Sequence, residues 1–288
     1  MDNVSQAQRA ANIADLDQAS VKPSYEYASY DIDCQYEIFN ENAKYYRATM
    51  RGIGMRINDF LSNPATIKLH ISGVKNYAGF APLALPAPQP APAAGLSAIL
   101  ARRRSVAQFG KALGGAELAT LLKYALAANA KVAPSIAPEE VMHRKPYASG
   151  GGLYPVEFYV VMLDVEGVKP CVAHYDGVAD RLRVLREDIT IDEVNAVMTT
   201  PFAAGEAPAA IIFMSGVFQR STNKYGNKGY KFALIEAGAA GQTLQLVATA
   251  LQLNSLFWGS FYDDEVERLL GIDGVTESVI TSFIVGKA

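Results

Sequence analysis

Three short stretches of this chain carry residue types that could do chemistry. In NKYGNKGYKF, Lys224 and Tyr225 are adjacent, two glycines interrupt regular structure, and a long apolar run follows. In KPYASGGGLYP, Ser149 precedes three consecutive glycines, Gly150, Gly151 and Gly152. In ARRRSVAQF, Arg103, Arg104 and Ser105 place guanidinium donors and a hydroxyl side by side. A lysine next to a tyrosine is a candidate base: an ammonium makes a neighbouring phenol more acidic, and desolvation makes an ammonium easier to deprotonate. Adjacency leaves open which of the two takes a proton. A glycine run permits positive φ and leaves amide N–H groups bare, which suits close approach by a planar ring or an anion. Its spacing is neither GxGxxG nor that of a P-loop, so dinucleotide and nucleoside-triphosphate cradles are not indicated. The arginine–serine cluster has the size and donor geometry to grip a phosphate. Each stretch alone also has a plainer reading: a tight helix-to-strand connection, a solvated basic patch, and surface lysines beside core tyrosines.

The surrounding pattern says which elements must hold these groups. FAPLALPAPQPAPAAG reads as an extended linker of polyproline character over 81–95, after an N-terminal segment of residues 1–80. Within that segment residues 1–30 are polar, and 38–61 is compatible with an amphipathic helix weakened by Gly52 and Gly54. From 96 to 288, GLSAILARRR and AELATLLKYALAANA read as helices, so the arginine cluster closes a helix. The stretches 156–164, 170–175, 182–185, 210–214, 256–262 and 279–285 read as strands, with Asp176 and Gly177 in a turn. Thr190 and Glu193 form a capping box before a short helix. The stretch 231–253 is apolar on nearly every face, with small residues at 238–241, and reads as a buried central helix. Another helix runs from Asp263 to Gly271. Without a regular βαβ period, this is an α+β domain with helices around a modest sheet.

The bulk properties bound the function. A chain of 288 residues, half of them hydrophobic, is long enough for one large domain with an extra segment. No run approaches the roughly 18 apolar residues of a membrane helix. The start, MDNVSQAQRAANIADLDQAS, lacks the basic and apolar regions of a secretory signal. Two distant cysteines, Cys34 and Cys171, and three histidines, His70, His143 and His174, do not make a zinc cage. A net charge of −3 argues against a general nucleic-acid binder. The expectation is a cytoplasmic, metal-free protein. His143, beside the glycine loop, reads as a substrate contact or a plain surface histidine, His174 as a strand-end surface residue, and Trp258 as a buried aromatic or a pocket wall.

Taken together the three stretches resemble the SagB-type azoline dehydrogenases of the FMN-dependent nitroreductase superfamily, over about residues 25–288. The family's Arg-Arg-Ser-x-Arg-x-Phe segment is similar to Arg103, Arg104, Ser105 and Phe109. Its Pro-Ser-Gly-Gly-x-x-Tyr-Pro loop is similar to the run from Ser149 through Gly150, Gly151 and Gly152 to Pro155. Its Lys-Tyr-x-x-Arg-Gly-Tyr-Arg segment resembles the run from Lys224 and Tyr225 to Lys231. Gly259 before Asp263, and Gly286 with Lys287 at the end, resemble two further family features. Two departures stand out. Ala107 occupies the place of an arginine whose cation faces the flavin N1/O2 edge, and the family's Gln-Asn pair is Gln242 and Thr243 here. Arg144 or Lys145 are the candidates to supply the missing donor.

The resemblance implies a nitroreductase-like fold with the flavin site at a homodimer interface. It implies FMN as cofactor, held by Arg103, Arg104, Ser105, the glycine loop, Gln242, Gly259 and Lys287, with Lys224 and Tyr225 as the catalytic pair. The implied reaction is oxidation of thiazoline or oxazoline rings in a ribosomally made precursor peptide, within a complex that includes a cyclodehydratase. The N-terminal segment resembles the extra region of these proteins, which contacts such a partner or a leader peptide. A stand-alone NAD(P)H-dependent nitroreductase and a flavin-binding scaffold without catalysis are the competing expectations.

Overall fold

A computed structural model describes residues 35–72 and 75–288. The polar start of the chain lies outside the described residues, as does Cys34. The chain divides into two compact units, residues 1–42 and 43–288. In the first unit α1 (Gln35–Asn42) is closed by a hydrogen bond from Asn42 Nδ2 to the Ile38 carbonyl, 2.8 Å.

The second unit begins with α2 (Met50–Ser62) and α3 (Pro64–Ser72). The helical pattern over 38–61 is therefore broken before Met50. Thr49 bonds to the backbone of Tyr46 in both directions, its Oγ1 donating at 3.1 Å and accepting at 3.3 Å, a local alternative to continuing a helix. The proline-rich stretch lies along the domain. β1 (Pro82–Leu83) pairs with Leu182 and Arg183 at the sheet edge, where a missing N–H is tolerated, and the Gln89 N–H donates to Thr120 Oγ1 at 2.7 Å.

There follow α4 (Leu96–Arg102), α5 (Gly115–Leu126), a hairpin of β2 (Ala130–Val132) and β3 (Met142–Arg144), and a 3-10 turn, Gly150–Gly152. Then come β4 (Val156–Met162), β5 (Cys171–Asp176), β6 (Arg181–Glu187), α6 (Ile191–Val197), β7 (Ala210–Gly216), α7 (Gln219–Tyr225) and α8 (Lys228–Ala250). β8 (Asn254–Trp258), α9 (Asp263–Leu270) and β9 (Ser278–Gly286) complete the chain.

Seven strands form one antiparallel sheet in the order β1-β6-β5-β4-β7-β9-β8. β4 explains why its sequence is nearly all apolar: it is an interior strand buried on both faces. Val156, Phe158, Val160 and Met162 join Leu118, Leu121 and Leu122 of α5 and Ala237, Ala240 and Leu244 of α8. Tyr159 and Val161 join Val194 of α6 and Val266 and Leu270 of α9 on the opposite face. The domain is α+β, and α8 is its long central helix. One stripe of α8 faces outward: Ile235 is 65% exposed and Leu234 38%, beside exposed Gly238 and Gln242.

Candidate functional site

The glycine loop is tied to α8 at its base. Buried Glu236 accepts from the Val156 N–H at 3.2 Å and is hydrogen-bonded by Ser149. Burial raises the Glu236 carboxyl to about 7, opposed in part by these hydrogen bonds and by Lys145. Ser149 Oγ also accepts from the Tyr154 N–H at 2.9 Å, closing the turn. Gly151 and Gly152 both adopt positive φ, 69° and 67°, the region open to glycine at little cost.

The atoms closest to these glycines belong to the chain's own side chains. A Cβ on Gly150 would meet the Phe232 side chain at 3.1–3.2 Å. One on Gly151 would collide with Tyr225 Oη and lie 3.0 Å from Lys224 Nζ. One on Gly152 would lie 2.5 Å from Arg144 Nη1. Each glycine thus makes room for one residue of the site.

Lys224 and Tyr225 are placed by α7, which stops at Gly226 with φ 61°. Lys224 is 6% exposed, with its Nζ 5.2 Å from the centre of the Phe60 ring and 5.0 Å from that of Tyr225. Tyr45 Oη donates to the Tyr225 carbonyl at 2.9 Å, and Tyr225 stacks edge-on against Phe232 at 5.0 Å. Residues 43–72 therefore wall the site. A cavity of about 390 Å³ opens beside Lys224, lined by Phe60, Ile67 and His70, by Ile136 and Met142 of the β2–β3 arm, and by Arg144. Burial, then Arg220 and Lys224, lower His70 to about 4, so its imidazole is neutral at pH 7.

Behind the loop runs a buried charge network. Arg220 contacts Glu157 at 2.5 Å, and His174 lies 2.8 Å from the other oxygen of that carboxylate. Burial alone would raise Glu157, but Arg220 and the His174 hydrogen bond outweigh it and hold the carboxyl at about 2. His174, expected at the surface, is fully buried because β5 is an interior strand. Lys145 is turned toward the rings of Tyr147, Tyr154 and Phe158, at 5.2–5.7 Å, and burial holds its ammonium below the ordinary lysine range.

The arginine cluster forms a second centre. The Arg103 N–H caps α4 on the Ile99 carbonyl at 2.8 Å, and Arg104 Nη1 donates to the carbonyls of Ala101 and Arg103. Gln245 Nε2 donates to the Arg104 carbonyl at 2.9 Å and to Ser255 at 3.1 Å, pinning the segment between α8 and β8. Gln242 lies one turn earlier on α8 and is exposed. Gly259 follows Trp258 in open space. Lys287 Nζ pairs with Glu117 at 2.6 Å, the same carboxylate that caps α5 through the Gly114 N–H.

Within this chain the structure gathers Lys224, Tyr225 and the glycine loop at the start of α8, and Arg103, Arg104, Ser105 and Gln242 toward its other end. Phe232 and Gln245 are 13 residues apart, or roughly 20 Å along the helix. Phe60, His70, Glu236 and Gln245 are site residues that none of the sequence motifs points to, whereas Arg144 is one of the two donor candidates named from the sequence. A buried glutamine or glutamate in an otherwise apolar helix was the available signal for Glu236 and Gln245.

The nitroreductase family model matches residues 100–287, which spans both centres. The chain belongs to the nitroreductase family. Members of that family are oxidoreductases that bind flavin. A protein of Methanocaldococcus jannaschii that carries the nitroreductase name is 34% identical over 131 residues, covering 44% of this chain and 64% of its relative. The microcin B17-processing protein McbC of Escherichia coli is 26% identical over 140 residues, covering 47% of this chain and 52% of McbC. The chain thus spans between half and two thirds of the length of these two relatives. Among solved structures, the E. coli microcin synthetase McbBCD complex with truncated pro-MccB17 bound gives a TM-score of 0.55 at 21% identity, over 84% of this chain and 92% of that one. At that identity the likeness is one of fold.

Among the described residues no helix is long and apolar enough to cross a membrane, and no three His, Cys, Asp or Glu residues are grouped to hold a metal ion.

Proposed function

We propose that this protein is an FMN-dependent dehydrogenase that oxidises thiazoline or oxazoline rings in a ribosomally made peptide. The observation that carries this reading is the seating of Lys224 and Tyr225 together over Gly151, at the edge of a cavity with apolar walls. Similarity to a microcin-processing protein supports a peptide substrate and synthetase partners such as a cyclodehydratase.

The residues present fit a flavin mononucleotide. Arg103 is half-buried and Ser105 exposed at the end of α4, and neither side chain has a hydrogen bond or ion pair among the described residues. Such donors suit a phosphomonoester. Bound FMN supplies the hydride acceptor that the dehydrogenation needs. The chain's own part is to orient the ring, exclude water and take the proton from the ring Cα, which the adjacent carbonyl and imine acidify. Lys224 Nζ and Tyr225 Oη both reach the same point over the loop, so the pair acts as the base. Phe60, Ile67 and Met142 exclude water around it.

A homodimer completes the site in this reading. The exposed stripe of α8 lies between the two centres, and a second copy packed on it antiparallel would bring one copy's glycine loop toward the other's arginine cluster. The test is turnover of an azoline peptide by FMN-loaded native protein, Lys224→Ala and Tyr225→Phe. Loss of turnover in variants that retain FMN supports the reading. Brisk NAD(P)H-driven nitroarene reduction with no action on azolines would favour a stand-alone nitroreductase instead.

A further inference from the structure

Arg144 ends β3 with its guanidinium laid over Gly152, where a Cβ would stand 2.5 Å from Nη1 and 3.0 Å from Cζ. Its Nη1 is buried without a hydrogen-bond partner, and among the described residues no side chain forms an ion pair with it. A buried guanidinium nitrogen with nothing to bond is costly, and native interiors avoid it unless the group has another use. Arg144 lines the same cavity as Lys224, and these two residues lie against adjacent loop positions, Gly152 and Gly151. The remaining lining is Phe60, Leu61, Ile67, His70, residues of the β2–β3 arm and Leu153, with no acid among them. A guanidinium and a second basic side chain in a largely apolar cavity with no acid in its lining define a site for an electron-rich oxygen.

We infer that Arg144 is an oxyanion donor that binds the carbonyl oxygen attached to the substrate ring, opposite the Lys224–Tyr225 base. This inference rests on the azoline reading and names the group the site recognises. When the base removes the ring Cα proton, the electron pair of the broken C–H bond spreads onto that carbonyl oxygen as an enolate. It then returns to form the carbon–carbon double bond as the neighbouring ring carbon loses a hydride, for which bound FMN would supply the two-electron acceptor. The ring has lost one proton to the base and one hydride to the oxidant, and the charge that passes through the oxygen is the charge Arg144 is placed to stabilise. A donor aimed at developing charge in a water-poor site commonly contributes about a hundredfold in rate. The alternative role for the Arg144 guanidinium is to face the flavin N1/O2 edge, and the experiment separates the two.

The probes are two peptides carrying the finished thiazole, one with its natural backbone carbonyl on the ring and one with a methyl group in its place. FMN-loaded native protein, Arg144→Gln and Arg144→Lys are compared for probe binding by calorimetry, for FMN content and for flavin reduction potential. Native protein should bind the carbonyl probe at least about tenfold more tightly than the methyl probe. Arg144→Gln should bind both at the methyl-probe level, with FMN content and potential unchanged, and Arg144→Lys should recover part of the preference. Turnover of an azoline peptide should fall about a hundredfold in Arg144→Gln. Retention of the carbonyl preference in Arg144→Gln would overturn the inference. So would release of FMN or a shifted potential, which would assign Arg144 to the flavin, and so would native protein that binds neither probe. An Arg144-dependent preference in a protein that oxidises no azoline would leave the carbonyl site standing and remove the azoline reading. Normal azoline turnover by Arg144→Gln would do the reverse.

Discussion

The phenolic oxygen of Tyr225 occupies the place over Gly151 where a side chain's Cβ would stand. Two stretches 74 residues apart in sequence are therefore matched to each other, one by lacking a side chain and the other by filling the space. The match predicts the effect of Gly151→Ala. The substitution adds a collision with Tyr225 and Lys224 to the strain of a positive φ, a cost of about 2 kcal/mol or more. Urea unfolding should show that loss, and turnover should fall further than stability because the base is displaced. An alanine variant with native turnover would mean that the pair does not need its seat on the loop.

Glu236 predicts a pH dependence of stability. Burial raises its carboxyl to about 7 in the folded chain from an ordinary 4.5, so between those values the native state holds a proton that the unfolded state has released. Stability then declines as pH rises through this window, by on the order of 3 kcal/mol in all. Glu236→Gln mimics the protonated form and should flatten the decline. The check is the urea midpoint of both proteins at several pH values from below 5 to 8. Parallel curves would show that Glu236 does not cause it.

How much of this was legible in the sequence depends on how local each signal is. The strands of the central sheet, the Thr190–Glu193 capping box and the Gly271 stop after α9 were readable, because apolar runs and caps act within a few residues. β1, the β2–β3 arm and α3 were not, since their sequences are proline-rich or short and take shape only against the rest of the domain. The Lys224–Tyr225 pair and the glycine loop were visible as separate motifs, but their contact is a fact of tertiary structure. Arg144 stands out in sequence only as a basic residue before the glycine loop, while its unpartnered guanidinium nitrogen beside Lys224 is again a fact of tertiary structure.

Gln245 is predicted to act on cofactor binding by holding the backbone that carries Arg103 and Ser105. Gln245→Leu removes the hydrogen bonds to Arg104 and Ser255 while roughly conserving volume. FMN affinity, measured by fluorescence titration of the apoprotein, should weaken about tenfold, with a stability loss of about 1–2 kcal/mol. Unchanged affinity would separate the arginine segment from the flavin.

The exposed stripe of α8 predicts an assembly. Ile235→Glu places a charge on the most exposed apolar position of that helix. In sedimentation, native protein should run as a dimer and the variant as a monomer that has lost FMN. A native monomer that retains FMN would contradict a site shared between copies.

The central claim, that Lys224 and Tyr225 over the glycine loop form the base of an azoline dehydrogenase, is tested most directly by mass spectrometry. An azoline-bearing peptide is incubated aerobically with FMN-loaded native protein, Lys224→Ala or Tyr225→Phe. The account predicts that native protein removes the mass of two hydrogen atoms per ring, and that the variants, still carrying FMN, leave the peptide unchanged. Full oxidation by either variant, or none by the native protein on any azoline, would contradict it.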